Sequence, residues 1–153
     1  MGNFNTLRSG LNHAPAYQVS GRPWASGSCV APASGSTGVQ PKSQKVTFPY
    51  VTRWVKVQVS GTVENHEGHA LRVGFSQIGL NDCKGTGSMG GNYFTVRPGE
   101  TEVMELKISE LHFMSNTAAT VTFDVVAGLT SVATTALVFN TTGSSWSGSA
   151  GVG

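Results

Sequence analysis

Apolar and polar side chains alternate in short runs through most of residues 43–140. Val55, Val57 and Val59 interleave with Trp54, Lys56 and Gln58, the two-residue period that turns one set toward a core and the other outward. Leu71, Val73 and Phe75 repeat the pattern after Glu64-Asn65-His66-Glu67-Gly68, so the two runs read as a β-hairpin joined by that turn. A further short strand is predicted over residues 92–96, and Arg97-Pro98-Gly99-Glu100 has turn chemistry. Met104, Leu106 and Ile108 then alternate with Val103, Glu105 and Lys107, Leu111 and Phe113 belong to the next strand or the turn before it, and Val121, Phe123 and Val125 alternate with Thr120, Thr122 and Asp124. Residues 130–139 fit either a strand or a short helix. Seven or eight short strands separated by turns predict an all-β protein, an antiparallel β-sandwich, with a jelly roll as the first topology and an immunoglobulin-like arrangement as the second.

Residues 1–42 break this rhythm. Pro15, Pro23, Pro32 and Pro41 lie among Gly, Ser and Ala, with apolar side chains only at intervals. Proline removes backbone donors and restricts the residue before it, which argues against helix. A segment this poor in apolar residues gains a fixed shape by lying on something else. The chain therefore divides into an extended N-terminal arm at 1–42, a sandwich body at 43–140 and a Gly/Ser-rich tail at 141–153. Large side chains spaced along such an arm serve as anchors in pockets on neighbours, which marks Phe4, Tyr17 and Trp24, with Arg8 and Arg22 facing acidic patches.

Charge sharpens this picture. Only 12% of residues are charged, about half the ordinary share, so little of the surface is built to stay in water. The net +2 hides an asymmetry: residues 1–63 carry six cations and no acid, whereas residues 64–153 carry eight acids against four bases. That suits contact with an acidic protein surface or a second copy of the chain. Nucleic acid is disfavoured, because the cations are scattered and no reading motif accompanies them. Cys29 and Cys83 fit no metal spacing and read as free thiols, with a disulfide between them left open. The N-terminus has no basic segment followed by an apolar run, and no stretch has the length of a membrane span.

Candidate chemistry is sparse. His66-Glu67-Gly68-His69 clusters two histidines and a carboxylate, but a zinc-protease pair needs a four-residue spacing on a helix, and these are three apart in a turn. The glycines of Gly85-Thr86-Gly87-Ser88-Met89-Gly90 lead into a strand, whereas a phosphate-binding loop needs a helix after it. Most of the glutamates 64, 67, 100, 102, 105 and 110 sit at turns or in the outward phase of strands, the setting of solvated charges, not of a buried acid. His13 and His112 stand alone. The chain reads as a non-enzymatic protein with no cofactor and no metal.

The segments Ala16-Tyr17-Gln18-Val19-Ser20-Gly21, Phe48-Pro49-Tyr50-Val51-Thr52-Arg53-Trp54-Val55, Leu71-Arg72-Val73-Gly74-Phe75-Ser76, Asn92-Tyr93-Phe94-Thr95 and Phe123-Asp124-Val125-Val126-Ala127-Gly128-Leu129-Thr130 together resemble small virion structural proteins of large icosahedral DNA viruses of algae and of marine phages. The resemblance spans most of the chain and carries over no functional residues. It implies a minor capsid, cement or decoration protein with a jelly-roll-like body, located in the virion and bound to a major capsid protein or other capsid subunits. The competing expectations are a sugar-binding sandwich using Trp54 with Tyr50, or Tyr93, and a trimeric surface fibre whose copies bury their low-charge faces on each other.

Overall fold

The structure, a computed structural model, describes residues 21–34, 43–60, 69–81 and 92–134. Eight strands and one short helix follow in the order β1 (Arg22–Ala31), β2 (Gln44–Thr47), β3 (Tyr50–Val59), β4 (Leu71–Gly74), α1 (Gln77–Asn81), β5 (Tyr93–Val96), β6 (Thr101–Met104), β7 (Glu110–Ser115) and β8 (Val121–Ala133). They form two four-stranded antiparallel sheets, sheet A in the order β1-β8-β3-β6 and sheet B in the order β2-β7-β4-β5. The protein is an all-β sandwich.

The predicted inward phase is the observed one. From sheet A, Val55, Val57, Val59, Phe123, Val125 and Ala127 enter the core, and Val46, Leu71, Val73, Leu111 and Phe113 meet them from sheet B. Phe113 and Phe123 close the centre across the two sheets, with ring centroids 4.4 Å apart and planes tilted by 31°, within the range of favourable aromatic pairs. At one end of the sandwich the Thr52 hydroxyl donates to the Leu106 carbonyl and accepts from the Ile108 amide at 3.1 Å. The Thr130 hydroxyl donates to the Val51 carbonyl at 2.7 Å. The Thr130 bond reaches β3 where its pairing with β8 is irregular, and the Thr52 bonds tie β3 to the segment ahead of β7.

Two expectations are corrected. The runs 55–59 and 71–75 are not a hairpin: β3 pairs with β6 and β8 in sheet A, whereas β4 pairs with β5 and β7 in sheet B. Alternation fixes which face a residue takes, not which strand lies beside it, and the intervening residues carry the chain from one sheet to the other. The stretch that composition assigns to an arm also contains a strand of the body. β1 pairs with β8 from Arg22↔Leu129 to Ala31↔Val121, with one extra residue between Ser26 and Cys29. Trp24 and Cys29 pack against the core, and Ala31 is fully buried in it. Proline is tolerated on an edge strand, and Pro23 lies on one. The bulge places Ser28 at φ 55°, and the Asp124 carboxylate accepts its amide at 2.7 Å. Beyond β1 the chain stays attached, the Ser115 amide bonding to the Pro32 carbonyl at 2.8 Å and the Ser34 amide to the Thr117 carbonyl at 2.7 Å. The remainder of the proposed arm, residues 1–20 and 35–42, lies outside the described residues, as does the tail at 141–153.

The helix sits against β4 and β7 of sheet B. Gly74 allows this approach: a Cβ there would lie 2.9 Å from Leu80 Cδ2, closer than atoms pack. Leu80 is fully buried. With the core on one face and α1 on the other, β7 is buried at all six of its residues.

Candidate functional site

The second face of sheet B carries a polar cluster. Ser43 and Lys45 are two residues apart beside β7, and Glu110 and His112 are two apart on it, so each pair points to one side. The register sets Lys45 opposite His112 and Thr47 opposite Glu110. His112 Nδ1 lies 3.0 Å from Ser43 Oγ, its Nε2 lies 3.3 Å from Glu110 Oε1, and Lys45 Nζ lies 3.4 Å from Glu110 Oε2. Glu110 is only 3% exposed and His112 only 6%. This corrects the expectation of solvated glutamates at Glu110 alone, since Glu100, Glu102 and Glu105 are exposed, and the expectation that His112 stands alone.

The protonation pattern follows from the partners. An ionised carboxylate only accepts, so Glu110, facing the Lys45 ammonium, takes the Nε2–H of His112. In the neutral ring this leaves the Nδ1 lone pair for the Ser43 hydroxyl. Burial drives the His112 pKa below its ordinary value, against the Glu110 hydrogen bond and charge that raise it, with Lys45 adding to the lowering. A hydroxyl on a neutral imidazole oriented by a carboxylate has the connectivity of a nucleophilic relay. Here the carboxylate is also tied to a lysine, and Glu110 and His112 are buried while Ser43 is half-buried and Lys45 exposed.

The outer face of sheet A has the opposite character. Ala25, Val126, Lys56 and Val103 lie side by side across β1, β8, β3 and β6. Val103 is 57% exposed, Val30 51% and Val126 36%, and all three large apolar side chains fall on this face. Toward one end Arg53 Nη1 pairs with Glu105 Oε2 at 3.1 Å. Both this pair and Lys45–Glu110 join a cation of the basic front half to an acid of the acidic back half. Part of the charge asymmetry is thus answered inside the molecule.

Of the anchors marked in the sequence, Phe4, Arg8 and Tyr17 lie outside the described residues. Trp24 is half-buried, its ring edge-on to Phe48 with centroids 5.0 Å apart, and the Arg22 guanidinium stacks over Tyr50 at 4.3 Å. Both side chains are therefore engaged with their own body. The aromatic faces weighed for sugar binding are similarly occupied at Tyr50 and at Tyr93, over which Arg72 lies at 4.8 Å. Trp54 remains half-exposed on sheet A. His69 Nδ1 lies 3.3 Å from Thr117 Oγ1, while His66 and the glycine loop at 85–90 are outside the described residues. Among the described residues no three His, Cys, Asp or Glu side chains gather as a metal site, and no helix is long and apolar enough to cross a membrane. No protein-family model and no curated protein matches the chain.

Proposed function

We propose that the protein is a non-enzymatic structural subunit of a virion shell, a jelly-roll body that bridges or decorates capsid subunits. The observation that carries the reading is the strand order. β1 pairs with β8, β2 with β7, β3 with β6 and β4 with β5, while β3·β8 and β4·β7 join the halves. A ribbon of four antiparallel pairs wound back on itself in this way supports the jelly-roll reading, an architecture of capsid and lectin domains. The immunoglobulin-like alternative has no pairing of first with last strand in such a ribbon. Guanidinium groups over Tyr50 and Tyr93 weigh against the sugar-binding reading, and the apolar outer face of sheet A favours protein contact. In this account Phe4, Arg8 and Tyr17, ahead of β1, carry the contacts of a shortened arm with a major capsid protein or another shell subunit.

The test is fractionation of particles on a density gradient. The chain should sediment with intact particles and remain with the protein shell once nucleic acid is released; a chain confined to the soluble fraction would overturn the proposal. The Ser43–His112–Glu110 geometry favours a second reading, acyl-transfer catalysis. Covalent labelling of Ser43 by a fluorophosphonate probe, lost in His112→Gln, would replace the non-enzymatic reading with that one.

A further inference from the structure

We propose that the outer face of sheet A is a self-association surface, on which two copies pack face to face about a two-fold axis with Lys56 of each meeting Asp124 of the other. This goes beyond the shell reading and does not need it, since it requires only the chain itself. Three observations lead here. Val30, Val103 and Val126, large apolar side chains left exposed, share this one face, whereas the outer face of sheet B is overlain by α1. Lys56 lies between Val126 and Val103 in the lateral row, is half-buried, and has no anionic partner among the described residues. Two acids of that face flank it, each displaced by two residues: Glu105 just past β6, which Arg53 holds, and Asp124 on β8, since Lys56 stands opposite Val103 and Val126.

These two charges do not satisfy each other within one molecule. The Ser28 amide in the β1 bulge holds Asp124 Oδ1 on the far side of β8, and the carboxylate has no cation partner among the described residues. A lysine among valines seeks an anion that arrives with apolar neighbours, and the same face supplies one. A two-fold axis lying in the interface midway between the two side chains makes both pairs at once, as an isologous contact requires. The axis runs close to Val126, which then packs on its own copy.

Size sets the expected strength. Four strands spaced by about 4.8 Å, over about seven residues rising about 3.3 Å each, give a flat face of about 450 Å². That is well below the ~800 Å² per partner of a standard stable interface. The association is therefore a reversible one at micromolar concentration, of the kind reinforced when many copies are held together.

The test is sedimentation equilibrium of the full chain from about 5 to 300 μM, in low and in high salt. The wild type should show a monomer–dimer equilibrium that weakens with salt. Lys56→Glu alone and Asp124→Lys alone should each remain monomeric, because each sets like charges opposite one another twice. An equimolar mixture of the two should dimerise, since both cross-pairs are then attractive. Asp124→Lys also removes the acceptor of the Ser28 amide, so Val126→Lys, which leaves Asp124 in place, serves as a second disruptive variant. A wild type that stays monomeric throughout, variants that associate as the wild type does, or a monomeric mixture of two folded variants would overturn the proposal. None of these outcomes alters whether the chain sediments with particles, so the two proposals fail separately.

Discussion

Truncating Trp24 distinguishes a strand of the body from an arm that finds its place only on a partner. In the structure the indole is half-buried against the core and meets the Phe48 ring edge-on, centroids 5.0 Å apart and planes at 76°. A tryptophan buries about 150–250 Å² when fully covered; half of that, at about 25 cal/mol per Å², is about 2–3 kcal/mol. The edge-on ring contact adds about 0.5–1.5 kcal/mol, so Trp24→Ala should cost about 3–4 kcal/mol. With a urea m-value of about 1.5–2 kcal/mol/M for a domain of this size, the midpoint falls by about 2 M. The assay is urea unfolding of the isolated full chain followed by far-UV circular dichroism, which does not depend on the deleted fluorophore. Trp24→Phe, which keeps a ring in the same place, should recover more than half of the loss. Val103→Ala, at an exposed site of sheet A, should stay within about 0.5 kcal/mol of wild type. If Trp24→Ala unfolds at the wild-type midpoint, β1 is not part of the cooperative body and the sheet order described above is wrong at its edge.

Three further outcomes follow from the same packing. Because burial depresses the His112 pKa, the unfolded chain takes up that proton first on acidification; the contribution is fully present above about pH 6.5 and is lost as pH falls from there toward the native pKa. The slope has an upper bound of about 1.4 kcal/mol per pH unit, and His112→Gln should flatten that part of the urea-midpoint profile; parallel wild-type and variant profiles would contradict it. Gly74→Ala should cost about 1–3 kcal/mol by overpacking, since its methyl would meet Leu80, and amide hydrogen exchange should quicken at Leu80, whose N–H bonds to the Ser76 carbonyl at 3.3 Å; unchanged exchange there would show that α1 does not rest on Gly74. Deleting residues 1–20 should leave the far-UV spectrum and urea midpoint close to wild type, while deleting residues 1–42 removes β1 and should abolish cooperative unfolding; a stable, cooperative 43–153 fragment would restore the boundary that composition predicts.

The long central strands were legible because their side chains obey one rule along their length. Val55, Val57 and Val59, and Val121, Phe123 and Val125, alternate without interruption, and all six are buried. β1 was not legible for two physical reasons. Its inward positions after Trp24 are filled by Ser26, Cys29 and Ala31, small residues that give hardly any hydrophobic contrast, and the extra residue between Ser26 and Cys29 reverses the phase midway. The polar cluster was hidden by the opposite effect. Glu110 and His112 occupy the outward phase of β7, which reads as solvent, until α1 is known to lie over that side of the sheet and to bury it. The period-two spacings Ser43–Lys45 and Glu110–His112 were present, but only the β2–β7 register brings them together. Such a register is a long-range property that no local pattern encodes.

The unequal charge of the two halves acquires a different meaning in this topology. A ribbon that pairs β1 with β8, β2 with β7 and β3 with β6 lays the front of the chain on the back of it, so a basic first half and an acidic second half attract along the whole ribbon. Lys45–Glu110 joins β2 to β7, and Arg53–Glu105 joins β3 to the segment after β6. Arg53–Glu105 is well exposed and stabilises little, of the order of 0–1 kcal/mol for pairs of this kind, but a misregistered or like-half pairing would set cations against cations. The asymmetry therefore acts more on which strands meet than on how tightly they hold. Lys56 marks the surface: it belongs to the basic half, lies on β3 between two valines, and has no acid beside it among the described residues. A charge pattern partly answered by the fold thus leaves Lys56 without an acid among the described residues, on the face with the most exposed apolar side chains among them.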